Sequence, residues 1–146
     1  MMSTIFCVIA GATMSVQGVI NTRLSKKIGL YEANMFVQGT AFLFALVSLI
    51  FLGQGQLNSV FSVKKVYLLG GLLGLVITIT VMLGMKNLSP SMAVMLILIA
   101  QLLTAASIDY FGLFETEKLP FNWTKVLGLV LMVIGVIVFK VNIKKG

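Results

Sequence analysis

Two stretches of this sequence place polar side chains where a helix would line them up. Gln17 and Asn21 lie four residues apart and share a helical face with Met14 and Gly18, giving two amides beside a glycine that lets another backbone approach. Gln101, Ala105 and Asp109 climb a second face at intervals of four, with Thr104 and Ser107 close by. Amides donate and accept hydrogen bonds without net charge, which suits recognition of a polar molecule, whereas a carboxylate in apolar surroundings suits handling of protons or cations. Each group also has a structural reading: the amides as hydrogen-bonded links between helices, and Asp109 as a helix-end residue paired with Lys118 or Lys125. The chain has no histidine, so His-based catalysis is excluded and the commonest zinc ligand is missing. Its one cysteine, Cys7, lies in an apolar run and reads as packing. Gly70, Gly71 and Gly74 lead into Leu and Val and not into Gly-Lys-Ser or Gly-Lys-Thr, so there is no P-loop. No catalytic group, metal site or cofactor is expected.

The elements that carry these residues follow from composition. Of 146 residues, 59% are hydrophobic and 10% charged, and the mean hydropathy is +1.08. Soluble domains carry roughly 25% charged residues, so the surplus apolar surface calls for lipid. Crossing a hydrocarbon core of roughly 30 Å takes about 20 helical residues. Five runs qualify, at about 4–24, 33–52, 66–85, 91–111 and 123–141, which predicts a single all-α membrane domain of five transmembrane helices over 1–146. Arg23, Lys26 and Lys27 close the first, Pro90 suits the start of the fourth, and Trp123, Lys125 and Lys140 bracket the fifth as interfacial anchors. Gly70 and Gly74 form a small-xxx-small pair that, with Gly18, suits close helix packing. Met82, Met85, Met92 and Met95 flank the third connection and read as packing before ligand contact. The N-terminal segment lacks a basic n-region and reads as retained.

An odd number of spans puts the two ends of the chain on opposite sides. Lys64, Lys65, Lys118 and Lys125 fall on the N-terminal side, and Arg23, Lys26, Lys27, Lys86, Lys140, Lys144 and Lys145 on the other. The positive-inside rule therefore favours an outer N-terminus and a cytoplasmic C-terminus. The net charge of +7 is explained by these anchors, and no basic stripe with interleaved aromatics suggests nucleic acid. Two copies of a five-helix unit joined in tandem would insert in opposite orientations, which is an inverted-repeat transporter architecture. With one copy in this sequence, the second is expected in trans, as an inverted partner in an antiparallel dimer. Homodimer and heterodimer both fit, and the uneven charge leans toward one fixed orientation with a separate, oppositely inserted partner.

The segment GATMSVQGVINTRL, from Gly11 to Leu24, and AQLLTAASIDYFGLF, from Ala100 to Phe114, resemble the two signature regions of the YdcZ-type family of the drug/metabolite transporter superfamily. The likeness covers nearly the whole chain and rests on Gln17, Asn21, Gln101, Ile108, Asp109, Phe111 and Gly112; Ala100 stands where the pattern has glycine. The resemblance implies half of an inverted-repeat fold, an opposed pair of such units and residence in a bacterial inner membrane. The four-helix multidrug exporters of that superfamily carry a membrane-embedded glutamate in their first helix. Gln17 and Asn21 are neutral, so proton-coupled export of cationic drugs by that device is not expected here.

These readings converge on a gradient-driven transporter, an exporter by preference, of small metabolites or drugs. Gln17, Asn21, Gln101, Met14 and Thr104 are its candidate substrate contacts, Asp109 its candidate gate or coupling residue, and Gly18, Gly70 and Gly74 its helix-packing positions. The alternatives are a membrane scaffold or regulatory subunit, in which the polar residues only join helices, and a channel.

Overall fold

In lipid the backbone has no water to bond, so each crossing must close its own hydrogen bonds as a helix. The computed structural model describes residues 2–120 and 122–143; Lys144 and Lys145, which weigh on the orientation argument, lie outside the described residues. All regular structure among the described residues is helical, with five α-helices: α1 (Met2–Ile28), α2 (Leu30–Leu52), α3 (Gly70–Asn87), α4 (Pro90–Phe111) and α5 (Trp123–Ile143). Five helical stretches are long and apolar enough to span a membrane, the third counted from Lys65 through Asn87 because a 3-10 segment leads into α3. The chain is an all-α membrane protein.

The helix ends follow local chemistry. α1 runs past the sequence boundary at 24, through Arg23, Lys26 and Lys27, because these are good helix formers and their charges emerge into the headgroup layer. At about 1.5 Å per residue its 27 residues reach about 40 Å, more than the hydrocarbon needs. Gly29 alone reverses the chain: its φ of 104° is open to glycine, and a Cβ there would strike the Glu32 carboxylate. α2 therefore starts at Leu30, three residues before the apolar run suggested. It stops at Gly53, whose N–H donates to the Leu49 carbonyl at 2.9 Å. α3 begins only at Gly70, with residues 65–69 in the tighter 3-10 form that is common at helix N-termini. Ser89 caps α4, its hydroxyl accepting from the Met92 N–H at 3.4 Å, and Pro90 fills the first helical position, where no N–H is needed. Gly112, in the left-handed region at φ 64°, ends α4 with its N–H on the Ile108 carbonyl.

The chain divides into two units, one ending at Asn87 and the other beginning at Leu88. In the N-terminal unit α1, α2 and α3 pack on one another in all three pairings. Its interior holds Gly18, Asn21, Thr22, Ala33, Asn34, Met82 and Met85. In the C-terminal unit α4 packs on α5.

Candidate functional site

A hydroxyl on a membrane helix has a cheap solution, which is to donate to the carbonyl one turn back along its own helix. This chain uses it repeatedly. Thr13 donates to Ile9 at 2.8 Å, Thr22 to Gly18 at 2.7 Å, Thr78 to Gly74 at 2.8 Å, and Thr104 to Ala100 at 2.8 Å. The amides do not have this solution. Among the described residues, the side chains of Gln17, Asn21, Asn34, Gln38 and Gln101 make no hydrogen bond.

Along α1 the predicted stripe divides. Gly18 and Asn21 are buried, while Met14 and Gln17 are exposed. Gly18 sits against α3: a Cβ there would lie 2.8 Å from Met85 Cε and 3.2 Å from Val81 Cγ1. Gly74 has ordinary clearance, with Gln38 Nε2 at 3.8 Å from a built Cβ, and at Gly70 nothing lies within 4 Å. Two amides absent from the sequence-based candidates enter here. Asn34 is 5% exposed and its Oδ1 is buried without a partner, and Gln38, four residues on, reaches toward Gly74 on α3. The signal was present in the sequence as another pair of amides four residues apart, Asn34 and Gln38, at the spacing of Gln17 and Asn21 but in reverse order.

In the C-terminal unit the face that carries Ala105 and Asp109 lines a groove of about 460 Å³ between α4 and α5. Leu102, Ala106, Leu129 and Met132 supply its apolar wall, Gly128 opens it, and Asp109 and Lys125 stand at one end. Gln101 and Thr104 are exposed on α4 and are not among the lining residues. Asp109 is half-buried; among the described residues it forms no ion pair with Lys118 or Lys125, the partners its structural reading supplied. Its backbone carbonyl, one of those left open at a helix end, accepts the Leu119 N–H at 3.0 Å. The structure thus puts the candidate residues in two places: Met14, Gln17 and Asn21 in the N-terminal unit, and Gln101, Thr104 and Asp109 in the C-terminal unit. Among the described residues no group of three or more His, Cys, Asp or Glu side chains could hold a metal ion.

A helical protein with five membrane-spanning segments, amides without a partner among the described residues and a groove with two opposite charges at one end has the parts of a membrane carrier. The family described as "Putative inner membrane exporter, YdcZ" matches residues 2–138, nearly the whole chain, and the protein belongs to that family. It is accordingly a multi-pass inner-membrane protein of an exporter family, a non-enzymatic kind of protein. No curated protein and no solved structure matches it.

Proposed function

We propose that this protein is a gradient-driven exporter of small metabolites or drugs whose pathway is completed by a second five-helix unit inserted upside down. An odd count of five spans gives the chain a fixed up-down sense, and an inverted companion restores the two-sided symmetry that alternating access uses. The orientation follows the basic residues, with the N-terminus outside and the C-terminus in the cytoplasm. Gln17, Asn21 and Gln101 face the pathway, Met14 and Thr104 line it, Asp109 gates or couples transport, and Gly18, Gly70 and Gly74 serve helix packing.

The observation that carries this reading is the contrast between hydroxyls satisfied within their own helices and amides that have no partner among the described residues. An amide in hydrocarbon without a partner costs several kcal/mol, so retaining Gln17 and Gln101, both exposed on their helices, points to partners supplied from outside the chain. A transported polar solute is such a partner. The test is flux from proteoliposomes with a candidate substrate inside and an imposed ion gradient. Gln17→Leu and Gln101→Leu are expected to cut the initial rate at least tenfold, the scale of one or two lost hydrogen bonds, while the thermal midpoint is held or raised. Unchanged flux in both variants would leave the amides as helix links and favour a scaffold.

A further inference from the structure

The groove between α4 and α5 carries one charge of each sign at the same end. Asp109 is in the last turn of α4 and Lys125 in the first turn of α5, so both lie where these helices meet the membrane surface. Neither pairs with the other at ion-pair distance among the described residues. From that charged end the lining runs along α4 to Leu102 and along α5 to Met132, about 10 Å at 1.5 Å per residue. Every other lining residue is apolar or glycine. A carboxylate and an ammonium at the mouth of an apolar slot of this volume match an amphiphile with a positive and a negative group on one short hydrocarbon body.

We infer that this groove binds a small zwitterion with a short apolar tail: Asp109 takes the ammonium, Lys125 the carboxylate, and Ala105, Ala106 and Gly128 leave room for the tail. The inference rests on the exporter reading, of which it names the substrate class; the groove is a contact area apart from Gln17, Asn21 and Gln101, and it gives the gating residue Asp109 a direct hold on the solute. A single charged group satisfies half of the site and leaves the other protein charge facing it unpaired, so selectivity arises from the pair. The depth argues against a membrane phospholipid as the occupant. A slot of about 10 Å falls short of one leaflet's hydrocarbon, about 15 Å, and most of an acyl chain would hang outside it.

Trp123, the only tryptophan, precedes Lys125 by two residues and reports on the mouth. Leucine, leucinamide and 4-methylpentanoate share one tail and carry both charges, the positive alone and the negative alone. Titrated against the full-length protein in a neutral detergent, leucine is expected to shift the Trp123 emission saturably, with the other two at least tenfold weaker. Asp109→Asn should remove the preference for leucine over 4-methylpentanoate, and Lys125→Gln the preference over leucinamide. Gly128→Leu should abolish the titration while keeping the thermal midpoint, because a Cβ at that position meets nothing within 4 Å. Equal responses to all three compounds, a response to phosphatidylethanolamine but not to leucine, or loss of a dimer in place of loss of binding in Gly128→Leu would each overturn the inference. Proteoliposome flux separates the two readings. Leucine binding without flux sinks the exporter and keeps the groove; flux of another solute that Gly128→Leu leaves untouched does the reverse.

Discussion

Asn34 is where hydrogen-bond accounting in this chain fails to close. Its Oδ1 is buried and unpartnered, and it lies next to Ala33, which is fully buried. An orphan acceptor of this kind costs about 1–3 kcal/mol. Asn34→Leu, similar in bulk and without the acceptor, should therefore raise the stability of the purified protein by about that amount, read as an upward shift of the thermal midpoint. If the amide serves a solute, the same variant should export more slowly, so stability and activity would move in opposite directions. A fall in midpoint would mean that a second subunit donates to Asn34 and that the acceptor is paired in the assembly. Gly18 illustrates a different limit. Its neighbours in the sequence marked it as a packing position, but its contact with Met85 and Val81 joins residues more than sixty positions apart, and local spacing carries no such information.

At the scale of elements, the five spans were legible because a run of about 20 apolar residues in lipid has one stable conformation. Their ends were less so. Charge marks where a span leaves hydrocarbon, but a helix ends where backbone geometry breaks, and α1 continues through Arg23, Lys26 and Lys27 to a single glycine. Gln17 and Gln101 were legible as polar residues on apolar helices, whereas Asn34, close to a helix start, was not among the candidates, because its burial depends on α1 and α3 packing against α2. Gly112 shows how an element end holds a site. Its left-handed turn lets the following loop fold back so that the Leu119 N–H closes the Asp109 carbonyl, with the stem of Lys118 over the glycine. A Cβ at Gly112 would lie 2.6 Å from Lys118 Cγ. Gly112→Ala should lower stability by about 1–2 kcal/mol, because alanine resists this φ. Gly112→Asn, which tolerates the left-handed region, should recover part of the loss. Equal midpoints for the two variants would assign the whole effect to the Lys118 contact.

For the whole molecule, orientation rests on a narrow margin. Seven basic residues on the C-terminal side against four on the other favour one topology, but two of the seven are Lys144 and Lys145. Without them the difference is a single charge, since Arg23, Lys26, Lys27, Lys86 and Lys140 then oppose Lys64, Lys65, Lys118 and Lys125. Orientation responds to basic residues near span ends, including ones added at the C-terminus. A reporter fused after Gly146 that is active on only one face of the membrane should therefore read cytoplasmic for the native sequence. Changing both Lys144 and Lys145 to Gln should send a measurable fraction of molecules to the opposite orientation. That outcome would give this one chain both halves of an inverted pair, and variants of mixed orientation should then export without a second gene product. A native sequence that already reports from both faces would remove the need for a separate partner and make the protein its own upside-down companion.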